Sequence, residues 1–250
     1  MIHSFLLIGQ SNMAGRGFLN EAVPVDQTRI RVFRNGRWQP MFRPVNPDRP
    51  FSGSNLAERF AERYAQTYDV DVGLVCCADG GTSLEQWKPG GLLFDNAVYQ
   101  ARLAQRTSTI AGVLWHQGES DCRPDLYATY QKRFEDFMGA LREELGLHDV
   151  PFLLGGLGDY LKDCTHDEFI CNYAHVNAAL ENIARDNPMT GFVSARGLTS
   201  NPDLLHFDAA SLYEFGARYF DVFQTLRDEN KVFEEKPDPD DALRTEMEKL

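Results

Sequence analysis

Ser11 stands between two amides in LLIGQSNMAGRG, residues 6–17, where an apolar run ends in a glycine. Three aliphatic residues followed by Gly-Gln-Ser-Asn read as a buried strand turning sharply into a loop or helix. A serine there sits at the strand's carboxyl end, where open α/β sheets place their ligands. With a base nearby it is a nucleophile; without one it is an N-cap or an ordinary turn residue. A base is on offer near the other end of the chain, in NPDLLHFDAASL, residues 201–212. Asp203 and His206 are three apart there, just ahead of a helical pattern. That spacing can bring the carboxylate to one face of the imidazole and hold the tautomer whose other nitrogen meets a serine. A solvated surface histidine is the ordinary alternative.

Two further segments carry groups of the right chemistry. In ADGGTSLEQW, residues 78–87, Gly80 and Gly81 allow the backbone to come close to a ligand and turn its N–H groups inward. A plain turn pair is the competing reading. In WHQGESD, residues 115–121, Gln117 supplies an amide donor beside the titratable His116, Glu119 and Asp121.

The elements that would position these groups follow from periodicity. Apolar runs at 4–9, 71–78, 110–117, 151–157 and 190–195 read as strands. Helical spacing recurs at 55–68, 93–106, 125–145, 169–186 and 209–227. This alternation predicts about five parallel strands covered by helices on both faces, an α/β fold. The reading gives a single domain over 1–227, with a charged extension over 228–250 that is poor in large apolar residues.

Composition narrows the partners. A formal net charge of −12 opposes binding to a phosphate backbone, so no nucleic acid is expected. No apolar stretch has the length of a membrane span, and the first residues lack the basic-then-apolar pattern of a secretory signal. Five cysteines without a regular framework point to reduced thiols and a cytoplasmic setting.

Taken in order, a serine block, a glycine pair, an amide donor and an Asp-x-x-His form a set. GQSNMAGRG, GGTSLEQW, WHQGESD and DLLHFDAASLYEFGARY resemble the successive blocks of SGNH-superfamily hydrolases, from residue 9 to about 219. Within that superfamily the chain is similar to the sialate O-acetylesterase-like group, which includes carbohydrate esterase family six. It has Gly-Gln-Ser where many SGNH members have Gly-Asp-Ser, and Gln117 where they commonly have Asn. Both are features of the acetylesterase-like group. The resemblance implies a flavodoxin-like, three-layer α/β/α fold and no metal or other cofactor.

The chemistry expected is hydrolysis of a sugar O-acetyl ester through an acyl-enzyme, with Ser11 as nucleophile and His206 as base. Asp203 is the first choice for the orienting acid and Glu119 its rival. The oxyanion would meet the Ser11 N–H, a Gly80 or Gly81 N–H and the Gln117 side-chain amide. Asn12, Arg16 and Trp87 are candidates for the walls of the acyl or sugar pocket, Trp87 as a sugar-facing ring; the competing reading makes Trp87 a core residue and Arg16 a loop anchor. Competing functions are a short-chain esterase or thioesterase acting on a non-sugar substrate, and an inactive glycan-binding domain. A second set, Cys164, His166, Cys171 and His175, is made of zinc-ligand types, but its spacing fits no common zinc module. These four read as free thiols and helix-flanking histidines.

Overall fold

The computed structural model describes residues 1–227. The expected extension over 228–250 lies outside the described residues. Seven strands form one sheet: β1 (Ile2–Gly9), β2 (Ile30–Arg34), β3 (Arg37–Pro40), β4 (Asp71–Cys76), β5 (Thr109–His116), β6 (Phe152–Gly155) and β7 (Thr190–Val193). Their order is β3-β2-β4-β1-β5-β6-β7. Every pairing is parallel except the hairpin between β2 and β3.

All five expected strands are present, and two more extend the sheet beyond the expected number. Both lie in the Pro/Arg-rich stretch that the apolar pattern leaves irregular. β2, with sequence IRVFR, interleaves arginines with apolar residues. β3, RWQP, closes the edge with no fully buried residue. An edge strand needs an apolar side only toward the sheet's own layer, so it shows no continuous run.

Helices α1 (Ser11–Ala14), α2 (Leu56–Tyr68), α3 (Leu92–Ala104), α4 (Pro124–Tyr127), α5 (Tyr130–Leu145), α6 (Tyr173–Asp186) and α7 (Ala209–Leu226) complete the architecture. The helix expected over 125–145 is divided at Thr129, whose φ of −114° and ψ of 3° leave the helical region. Alternation along the strands builds three layers. Leu6 and Ile8 of β1 face one core with α3, α5 and α6, and Phe5 and Leu7 face the other with α2 and α7. A central strand flanked by helices on both faces is buried on both, and β1 is buried from His3 to Gly9, with the polar His3 and Ser4 satisfied by Tyr64 and Ser108. No helix among the described residues is long and apolar enough to cross a membrane.

Candidate active site

The site lies at the carboxyl rim of β1, β4 and β5. Gly9 ends β1 with φ +131°, and a Cβ there would lie 2.1 Å from the His116 carbonyl oxygen, so only glycine lets the chain pass the end of β5. Gln10 then donates its N–H to that carbonyl (2.9 Å), and Ser11 opens the single turn of α1.

The loop that carries the base is closed on itself. Asn201 N–H donates to the His206 carbonyl (2.8 Å), Leu204 N–H donates to Asn201 O (3.0 Å), and Leu204 takes φ +54°. Asn201 Nδ2 also ties the loop to the Arg16 carbonyl at 2.9 Å. Within this turn Asp203 Oδ1 accepts the backbone N–H of Leu205 (2.9 Å) and of His206 (3.0 Å). Its other oxygen accepts from His206 Nδ1 at 2.7 Å. That leaves His206 Nε2 to accept from the Ser11 hydroxyl at 3.0 Å. Partial burial acts to raise the Asp203 carboxyl, but the His206 side-chain bond and the two backbone N–H groups outweigh it and bring it down to about 2.

Asn12 does not reach the pocket wall as a substrate contact. Its Oδ1 accepts the Phe207 N–H (3.0 Å), and its Nδ2 donates to the Leu205 carbonyl (3.2 Å) and to Glu119 Oε1 (2.6 Å). The residue after Ser11 thus grips the chain on both sides of His206. Glu119, the rival acid, is occupied with Asn12 and lies 3.7 Å from His116 Nδ1. The imidazole of His206 takes Asp203 instead, because the three-residue turn presents that carboxylate directly.

Asp48 is the acid that motif reading missed. It receives both terminal nitrogens of Arg16 (2.9 and 2.7 Å), the Ser52 hydroxyl (2.7 Å) and the Gly80 N–H (2.9 Å). Burial acts to raise its carboxyl, and the Arg16 and Ser52 bonds hold it below the ordinary value. Two expectations change as a result. Arg16 lines the pocket, but its guanidinium is committed to a buried ion pair. The Gly80 N–H is already donated to Asp48, whereas Gly81, at φ +79°, lines the same cavity. The only signal in the sequence was an aspartate between two prolines.

Gln117 and Trp87 face the framework. The Gln117 amide nitrogen donates to Thr82 O (3.1 Å) and Asp121 Oδ2 (2.7 Å), while its oxygen accepts from the Tyr130 hydroxyl (3.0 Å). Both amide hydrogens are used, and the residue is fully buried. It is therefore not placed as an oxyanion donor. Trp87 is also fully buried, edge-on to Trp115 at 5.6 Å, with its indole N–H donated to the Thr82 hydroxyl (3.1 Å). It is a core residue and not a sugar-facing one.

A cavity of about 360 Å³ opens over Ser11 and His206. Gln10, Arg16, Gly81 and Phe51 share its lining with His166, Asp167 and Ile170. Gln10 is the glutamine that does border it; its Oε1 accepts the Gly118 N–H at 3.4 Å. Of the four zinc-type residues, His166 joins the cavity wall, His175 stacks on Tyr127 at 4.3 Å, Cys164 is buried and Cys171 exposed. No group of three or more metal-ligating side chains is gathered among the described residues.

The sequence model described as carbohydrate esterase, sialic acid-specific acetylesterase matches residues 1–225. A probable carbohydrate esterase of Arabidopsis thaliana is 26% identical over 239 residues, covering 85% of this chain and 86% of that protein. A solved structure of the Arabidopsis protein superposes with a TM-score of 0.78 at 23% identity, over 89% of this chain and 98% of that one. NanS gives a TM-score of 0.68 at 19% identity, over 90% of this chain and 97% of its own. A carbohydrate acetylesterase from Xanthomonas citri gives 0.67 at 19% identity, over 90% of this chain but 56% of that longer one.

Proposed function

From the premise that the chain belongs to the carbohydrate esterase, sialic acid-specific acetylesterase family, we propose that it hydrolyses O-acetyl esters of a sugar through a serine acyl-enzyme. The observation that carries the reading is the hydrogen-bonded series from Ser11 through His206 to Asp203, at 3.0 and 2.7 Å. Ser11 Oγ attacks the acetyl carbonyl carbon while its proton passes to His206 Nε2. Asp203 remains ionised and stabilises the imidazolium through Nδ1–H. The tetrahedral intermediate collapses, His206 returns the proton to the departing sugar oxygen, and the acetyl group stays on Ser11. Water then repeats the sequence and releases acetate.

The negative oxygen of the intermediate meets the backbone N–H groups of Ser11 and Gly81. Gln10 takes the place first assigned to Gln117: its oxygen accepts the Gly118 N–H, and the residue lines the same cavity as Ser11. A donor fixed before the reaction costs no reorganisation as charge develops. Asn12 keeps the base in register with the nucleophile by holding Leu205 and Phe207 at once.

Acetate release from a panel of acetylated sugars, with Ser11→Ala as control, tests the reading. The wild-type protein releases acetate and the variant does not. Release at equal rates by both would remove Ser11 from the chemistry.

A further inference from the structure

Phe51 is 69% exposed where it lines the cavity, while Trp87, Trp115 and Phe207 are fully buried. An apolar ring held in water beside a nucleophile calls for a reason, and its setting shows that it is fixed there. On one side Arg49 N–H donates to the Ser52 hydroxyl (3.0 Å), Ser52 N–H donates to Arg49 O (3.1 Å), and Ser52 Oγ donates to Asp48 (2.7 Å). On the other side Gly53 and Ser54 donate to Gly15 O (3.0 Å) and Gly17 O (2.8 Å), on the segment that follows Ser11. Beneath the ring lies the Arg16 guanidinium, 5.3 Å from its centroid and clamped by Asp48. The turn that bears Phe51 is therefore bolted to the nucleophile's own loop.

The charged groups of the cavity are less available. Arg16 is spent on Asp48, and Arg49 donates to Asp79 (2.7 Å) and to the Gly80 carbonyl (2.9 Å). Glu119 and Asp167 add negative charge to the same lining. An incoming sugar thus finds a rigid ring face and no unpaired arginine.

We propose that Phe51 is the binding platform for the pyranose ring that carries the acetyl group, engaging the ring's C–H face rather than a charged substituent. This rests on the reading that the site is a sugar O-acetylesterase. Covering an exposed phenyl face removes apolar surface from water, and a preformed platform avoids the cost of ordering it on binding. The leaving group, and not the acetyl group, lies on the ring, so the platform acts on the acylation step alone.

The test compares ethyl acetate, whose leaving group has no ring, with peracetylated methyl xylopyranoside and methyl glucopyranoside. Phe51→Ala should lower kcat/KM on a glycoside by about tenfold while ethyl acetate changes by less than about twofold. Phe51→Trp should keep the glycoside rate. Equal losses on both kinds of ester, or no loss on either, would overturn the platform and leave the esterase reading standing. A wild-type protein active on ethyl acetate but on neither glycoside would overturn the platform and the sugar assignment together. Activity on none of the three would overturn the esterase reading itself.

Discussion

Gln10 and Gln117 follow a pair of residues in direct register, Gly9 on β1 and His116 on β5, yet their side chains do opposite work. Gln10 borders the cavity over Ser11. Gln117 is sealed beneath it, with its amide nitrogen shared between Thr82 and Asp121 and its oxygen held by Tyr130. Asp121 in turn is fully buried, paired with Arg133 at 2.9 Å and accepting the Leu84 N–H at 2.8 Å. The same residue type at neighbouring strand ends thus lines the cavity in one place and is a structural tie in the other. What separates them is which surrounding groups are already satisfied: a buried amide takes whatever partners stop it from being orphaned.

The comparison makes graded predictions. Ser11→Ala should lower kcat by roughly a million-fold with little change in melting temperature, because it removes the group that bonds to substrate. Asp203→Asn should cost about 10⁴-fold in kcat, since the amide no longer fixes the tautomer that leaves Nε2 free to accept. Rates fitted under saturating ester measure both.

Gln10→Ala should cost about two to three powers of ten in kcat. Gln117→Ala should leave kcat within about threefold but lower stability by about 1–3 kcal/mol, because Asp121, Tyr130 and Thr82 lose a buried partner. Kinetics and chemical denaturation on the same two proteins decide it. If Gln117→Ala loses the rate and Gln10→Ala does not, the two assignments exchange.

The smallest effects concern pH and separate the two ends of β1. At the amino end, burial, helped by the Arg227 charge and the chain's N-terminus, holds His3 down to about 4, beside the Tyr64 hydroxyl at 2.8 Å. The unfolded chain takes up a proton that the folded one refuses, so stability should fall as pH drops from about 6.5 towards 4 and then level. At the carboxyl end Asp203, held near 2, contributes stability above its ordinary value that is lost only between about pH 4 and 2. Melting temperature against pH should show both windows, and His3→Gln should shrink the upper one alone; the remainder belongs to His116, which burial also holds below its ordinary value. Asp203 stays ionised through that upper window, so any loss of rate there belongs to another group.

The part of the molecule legible in the sequence is the part fixed by local pattern. Four of the five expected strands announce themselves because central parallel strands carry apolar runs, as in LLIG and GVLW, and the edge strand β7 does so by its short run TGFV. Asp203 and His206 are legible because a turn of three residues is enough to join them. Ser11 and His206 are 195 positions apart, and only the order of the four blocks links them in advance. The rest is decided by packing between distant segments. Trp87 looks like a sugar-facing ring until Trp115 and Phe137 enclose it. Gly80 looks like a free donor until Asp48 arrives from a segment with no periodicity. Phe51 carries no motif, and its exposure beside the nucleophile exists only once the 49–54 turn is fastened to the Gly15–Gly17 segment.

The central claim is that the acetyl group passes through Ser11, and trapping it there is the most direct measurement. Wild-type protein mixed with an excess of p-nitrophenyl acetate, quenched in acid within the first turnovers and mapped by peptide mass spectrometry, should carry one acetyl group, on Ser11. The same modification should accumulate in His206→Ala, if it forms at all, far more slowly than in the wild type. Turnover at the wild-type rate with no acetyl on Ser11, or with the acetyl on another residue that is needed for turnover, would contradict the account.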